Sequence, residues 1–188
     1  DADGTVAVQP ETDILDAGQR VQVTLFSPEV RVPTLLGIGE DDPLLARLLD
    51  RLDAPRYLPT GTDDGRRRLR AGVPDVVVVA GPETDDEPGV ALGGWDREWG
   101  LLVRTESDVT GLSSLVDGDC RFVNRADGSG LRRSFDAELA RLADERHESV
   151  TALSDAIDGY DLTTGATESP ARKVAAGAAD AGLGLRAT

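Results

Sequence analysis

The chain has 188 residues, of which 35 are acidic and 20 basic, for a formal net charge of −15. A polyanion of this kind is repelled by nucleic-acid phosphates and anionic lipid, which excludes direct binding to those polymers. No apolar run in it has the length of a membrane span, residues 1–26 carry no secretory signal pattern, and a single cysteine, Cys120, excludes an internal disulfide framework or a multi-cysteine metal site.

Residues 5–9 (TVAVQ) and 20–26 (RVQVTLF) have the alternation of β-strands, joined by Pro, Asp and Gly turn signals. Two short strands cannot form a stable domain, so this part is expected to be the tail of a preceding β-domain, with 27–33 as linker. From residue 32 the pattern changes to alternating strands and helices. Residues 32–38 form an apolar strand. A helix follows within 39–52, with Leu44, Leu45, Leu48, Leu49 and Leu52 at helical spacing; Asp41 or Asp42 can cap it and Pro43 suits its first position. Residues 56–59 are a short strand, and 60–72 hold a second helix ended by Gly72. Residues 75–81 (DVVVVAG) are the clearest core strand, 82–89 an acidic surface loop, and 99–105 another strand.

The second half repeats the theme. A short helix or turn is predicted over 108–118 and a strand over 121–125. A long amphipathic helix is predicted over 129–145, with Phe135, Leu139 and Leu142 on one face. A strand within 157–162, a helix over 169–180 and a small-residue strand over 179–185 complete the series. Such alternation predicts an α/β fold with a mostly parallel sheet, whose ligands bind where strand C-termini meet helix N-termini.

The strongest candidate for chemistry is 122–133, FVNRADGSGLRR. A strand ends at Asn124-Arg125, a glycine-bearing turn follows, and a helix starts at Ser129 or Gly130. Free N–H groups, one hydroxyl and the guanidinium groups of Arg125 and Arg132 can together cradle an anion. The competing reading has Ser129 only capping the helix and both arginines solvated. His147, in a charged helix tail, has no partner for catalysis in the sequence. Cys120, with Asp119 beside it, is expected to be structural with a raised thiol pKa. The run Arg66, Arg67, Arg68 is expected to form a helix face paired with Asp63 and Asp64.

The segment RADGSGLR resembles the R-x-x-G-S-G-x-R signature of the PBP-like domain, a type II periplasmic-binding-protein fold. Residues 168–185 resemble the family's second signature, an alanine-rich helix followed by A-D-A-G-L-G. The resemblance runs from about 32 to 186 and implies a two-lobed domain over 32–188. Lobe one takes about 32–104 and lobe two about 105–186, with crossover strands near 101–105 and 184–188. It implies a small ligand between the lobes, contacted by Thr60 and Thr62 on one side and by Arg125, Ser129, Gly130, Arg132 and Ser169 on the other. The family's usual Thr-His pair stands here as Glu168-Ser169, and Glu40, Asp41 and Asp42 crowd a helix start that usually favours an anion. The family's final return to lobe one is not seen in these 188 residues, and a truncated or disordered end is the expectation.

Residues 1–27 resemble the closing β-domain of MoeA-type molybdopterin biosynthesis proteins. That pairing implies a halophilic archaeal type. It fits the acid content, 24 Asp and 11 Glu spread along the chain against 19 Arg and one lysine, Lys173. At molar salt the Debye length is roughly 3 Å, so such surface charge is screened, and carboxylates favour solubility. The absence of methionine and the abrupt end after GLGLRAT point to a piece of a longer product. The function implied is a non-catalytic module that binds an oxyanion, molybdate or tungstate, in a high-salt cytoplasm. Its parent would be a molybdopterin molybdotransferase that handles molybdopterin and forms a homodimer through its MoeA-like region. The alternative is the effector-sensing domain of a LysR- or ModE-like transcription regulator. No metal site and no catalytic residue is expected in this fragment.

Overall fold

The computed structural model describes residues 3–16, 18–82, 89–165 and 169–186. Near the N-terminus β1 (Gly4–Val6) and β2 (Val23–Leu25) form an antiparallel ribbon, with Thr5 opposite Thr24. Val23, Leu25 and Phe26 are at least half exposed, as a two-stranded ribbon with no facing layer must leave them. An Arg56–Asp3 ion pair of 2.6 Å ties it to the next unit.

That unit is a run of βαβ steps. β3 (Leu35–Gly39) leads into α1 (Pro43–Leu49), β4 (Pro55–Pro59), α2 (Thr62–Arg70) and β5 (Val76–Val78). The strands are parallel in the order β4-β3-β5. The central strand carries Ile38, fully buried. Of the two acids able to cap α1, Asp42 does so, accepting from the Leu44 N–H at 2.7 Å, with Pro43 at the first position where its missing N–H costs nothing. The same carboxylate takes a two-point ion pair from Arg97 at 3.0 and 2.9 Å, which fastens the segment before the next strand onto the helix start. Burial pushes the Asp42 pKa up, but the Arg97 and Leu44 hydrogen bonds outweigh it and the net direction is down. On α2, Arg68 pairs with Asp64 at 2.8 Å, Arg67 also pairs with Asp64, and Arg66 lies 3.9 Å from Asp63.

The larger unit contains β6 (Trp99–Val103), α3 (Leu112–Asp117), β7 (Phe122–Arg125), α4 (Gly130–Arg146), α5 (Val150–Ala156), β8 (Thr163–Thr164), α6 (Ser169–Ala175) and β9 (Ala181–Leu185). Its sheet runs β6-β9-β7-β8. β9 is parallel to β7 and antiparallel to β6. β6 lies inside the 32–104 segment that the resemblance gives to lobe one, yet its five residues pair with Leu185 through Ala181 in this second sheet. The main core is here: Phe122, Phe135, Leu115, Leu139, Leu153 and Leu183 are fully or almost fully buried.

Two local expectations change. Residues 157–162 form turns rather than a strand, and the strand is the short β8 just after them. Gly159, at φ +91°, packs so close to the Phe122 carbonyl that a Cβ would fall 2.1 Å from its oxygen, so the chain folds back there. The helix α5 follows from SVTALSDA, a stretch the hydrophobic pattern left unassigned; the Ser149 hydroxyl caps it by accepting from the Ala152 N–H at 3.1 Å.

The approach to β9 is clamped to the start of β7. Arg121 donates from Nε and Nη2 to Asp180 at 2.9 and 3.0 Å, and its N–H donates to the same carboxylate at 3.1 Å. The Asp180 N–H returns a bond to the Arg121 carbonyl at 2.8 Å. These side-chain and backbone bonds from Arg121 hold the Asp180 carboxyl at about 2, against an ordinary 3.8. A depressed carboxylate contributes stability that is complete above its unfolded-state pKa and disappears as pH falls through the folded value. Asp180→Asn is therefore expected to lower stability at neutral pH. Its deficit relative to the parent chain should shrink between about pH 4 and pH 2, as read by denaturant unfolding at each pH. A deficit that stays constant over that window would show that the charge of Asp180 is not what the clamp uses.

Candidate functional site

The C-terminal end of β3 and the start of α2 face the start of α4 from the other unit. Gly39 closes β3 at φ +139°, where a Cβ would stand 2.0 Å from the Val78 carbonyl oxygen, so only glycine fits. The turn it permits delivers Glu40. The Glu40 N–H donates to the Val78 carbonyl at 2.9 Å, and the Tyr57 hydroxyl donates to the Glu40 carbonyl at 2.6 Å. Burial, with the charges of Glu40 and Asp41, pushes the Tyr57 phenol well above its ordinary range.

The Glu40 carboxylate then reaches across. Its Oε1 accepts from the Thr62 N–H at 2.9 Å, from the Thr62 hydroxyl at 2.7 Å and from the Gly130 N–H at 2.5 Å. Thr62 is completely buried, and its hydroxyl also accepts from the Ala80 N–H at 2.9 Å. Two of the three donors are N–H groups at the first turns of helices, where intrahelical acceptors are lacking and the helix dipole is positive. Bonds to a carboxylate are the stronger, charge-assisted kind. The same seam is closed by the Asp63 N–H donating to the Gly128 carbonyl at 3.0 Å and by an Arg133–Asp63 ion pair of 2.7 Å.

The residues expected at the site separate into two groups. Thr62 and Gly130 meet on Glu40. Ser129 is buried beside them as the cap of α4, its hydroxyl accepting from the Arg132 N–H at 3.2 Å. Arg125 ends β7 in a buried position and donates from Nη2 to the Gly165 carbonyl at 3.0 Å. Burial lowers its guanidinium pKa against the opposing charges of Glu40 and Asp41. Arg132 is turned to other partners. Its Nε donates to both oxygens of Asp136 at 2.8 and 3.0 Å and its Nη1 to Asp127 at 3.1 Å. Its guanidinium carbon lies 4.2 Å from the Tyr160 ring centroid. Thr60 is exposed, and a hydrogen bond from it lowers the Asp64 pKa. Ser169 is the first residue of α6; its expected companion Glu168 lies outside the described residues.

Glu40 lies outside the ligand contacts that the resemblance implies. The available signal was an acid directly after a glycine at the end of a parallel strand, the place where α/β sheets keep their ligands. Away from the seam, His147 is the exposed left-handed C-cap of α4, at φ 56°. Cys120 is buried, and burial with the charges of Asp180 and Asp158 raises its thiol pKa. Among the described residues no group of three or more His, Cys, Asp or Glu could hold a metal ion, and no helix is long and apolar enough to cross a membrane.

Parallel strands feeding helix N-termini that face each other across a seam between two sheets are the arrangement of a two-lobed, type II periplasmic-binding-protein-like fold. Residues 79–188 match the PBP superfamily domain, and the chain belongs to that family. No curated protein matches the chain. Among solved structures it is similar to an ABC-type phosphate transport receptor from Vibrio cholerae. The two share 17% identity over 81% of this chain and 70% of that one, with a TM-score of 0.48.

Proposed function

We propose that the chain is a small-anion-binding module, with its ligand taken at the seam between the lobes. The observation that carries this reading is the Glu40 carboxylate itself: an anion seated on three donors contributed by the starts of two facing helices. Donors so placed suit any compact oxyanion. Buried Arg125 adds a positive charge nearby. Membership in the PBP superfamily supports a ligand between lobes.

The particular ligand we propose is molybdate or tungstate, in a MoeA-like protein of molybdenum-cofactor biosynthesis working in a high-salt cytoplasm. This finer reading rests on the resemblance of residues 1–27 to the MoeA β-domain and on the Asp-rich, Lys-poor composition. A panel of molybdate, tungstate, phosphate and sulfate, each added to the chain in molar salt, tests both levels. A ligand present at a hundred times its Kd stabilises by about 2.7 kcal/mol, which for a chain of this size is a rise in Tm of roughly 5–10 °C. Molybdate or tungstate is expected to give that rise. A rise with phosphate or sulfate alone removes the molybdenum assignment. No rise with any of the four removes the anion-binding reading.

A further inference from the structure

Glu40 belongs to the first lobe, and one of its three donors, the Gly130 N–H, belongs to the second. We propose that Glu40 is a built-in occupant of this site: its carboxylate latches the two lobes together, and an anionic ligand enters by displacing it. The proposal rests on the anion-binding reading of the same seam.

Three observations carry it. First, the donors that a compact oxyanion would use are the ones Glu40 holds, namely the Thr62 N–H, the Thr62 hydroxyl and the Gly130 N–H. An oxyanion and the Glu40 carboxylate cannot both take them. Second, the lobes are in contact at this point. A Cβ on Gly130 would fall 2.4 Å from the Ala80 carbonyl carbon, and one on Gly61 would fall 3.3 Å from the Gly128 oxygen. Third, the neighbouring acid has another task. Asp42 is held by Arg97 and caps α1, whereas the Glu40 side chain is directed across the seam.

The tether gives Glu40 an advantage over any free anion. A group held on the same chain acts at an effective concentration of millimolar or more. A ligand that needs the unlatched state has its apparent Kd raised in inverse proportion to the fraction of that state. With one to ten per cent of molecules unlatched, the weakening is about ten- to a hundredfold. Binding then starts from lobes already closed on the protein's own carboxylate, and the first event is loss of the Glu40–Gly130 bond.

The test uses the chain itself and its Glu40→Ala and Glu40→Gln variants. Spin labels at Arg47→Cys on α1 and Asp144→Cys on α4, in a Cys120→Ala background, measure the distance between lobes. Molybdate, tungstate, phosphate and sulfate are titrated calorimetrically into each unlabelled protein. The parent is expected to give one short, narrow distance distribution, and Glu40→Ala a longer and broader one. The affinity for the anion that binds should rise ten- to a hundredfold in Glu40→Ala. Glu40→Gln keeps the side-chain shape and guards against a folding defect; it should shift both readouts in the same direction by less. An unchanged distance distribution with equal anion affinity in all three proteins overturns the latch and leaves the anion-binding reading standing. Lobes that open in Glu40→Ala while no anion binds any variant leave Glu40 as a tether between the lobes and sink both its displacement by an anion and the anion-binding reading.

Discussion

Phe135→Ala is expected to lower the stability of the chain by about 3–5 kcal/mol, the range for emptying a buried aromatic position. Phe135 is completely buried in the middle of α4. Its ring stacks on Phe122 at a centroid distance of 5.2 Å and tilts against Tyr160 at 6.3 Å. It therefore joins the long helix both to β7 and to the turn that precedes β8. The ring also walls a cavity of about 310 Å³ shared with Trp99, Leu101, Val109 and Leu112. Truncation would leave a void beside this open cleft, with a cost set by how far the surroundings relax. In urea the midpoint should drop with little change in slope, and Tm should fall by roughly 6–20 °C. Leu52→Ala, at a residue 47% exposed, is the control and should stay within about 0.5 kcal/mol. A cost below 1 kcal/mol for Phe135→Ala would mean that the second lobe does not take its cohesion from this stack.

Gly130→Ala is expected to separate the lobes while leaving α4 intact. Gly130 is the first residue of that helix, where alanine is intrinsically the better residue, so the substitution brings no local penalty. The conflict is entirely with the other lobe. The new Cβ would lie 2.4 Å from the Ala80 carbonyl carbon and 2.5 Å from its Cβ. Carbon atoms make contact at about 3.5–4.0 Å, so the backbones must part by an ångström or more. That movement breaks the Gly130–Glu40 bond and loosens the Asp63–Gly128 bond next to it. Amide hydrogen exchange resolves the outcome residue by residue. Asp63 and residue 130 should lose at least tenfold in protection, while amides in the middle of α4 keep theirs. Retained protection at both would mean that the seam yields elsewhere and that Gly130 is no fulcrum.

The parts of the fold that were legible in the amino-acid sequence are those decided over a few residues. Asp42 and Pro43 start α1 and Ser129 starts α4 because capping needs only a side-chain oxygen within three positions of a free N–H. The pairing of Arg66, Arg67 and Arg68 with Asp63 and Asp64 follows from i,i+3 and i,i+4 spacing on α2. Leu139 lies on the buried face with Phe135 because helical periodicity puts it there. For the candidate site, the same local reasoning named Thr62, Ser129 and Gly130, which the fold brings together where a strand end faces helix starts.

Arg132 illustrates the limit. Its motif position suggested an anion contact, but its Nε goes to Asp136 one turn on and its Nη1 to Asp127 before the helix, and Tyr160 covers its face. A signature names residue types and spacing; the rotamer goes to the nearest opposite charge.

The sequence alone therefore determined most of the alternating α/β order, the caps of α1 and α4 and the acidic composition, and it nominated the segment of the candidate site. Each of these depends on short-range sterics, hydrogen bonding and periodicity. Only the tertiary structure decided that β6 joins β9 across the second sheet and that Glu40, ninety residues from Gly130 in the chain, is the anion held between the lobes. Both depend on which surfaces come together after the elements have formed. No local pattern encodes that choice, because the burial and charge pairing that select it exist only once the two lobes are in contact.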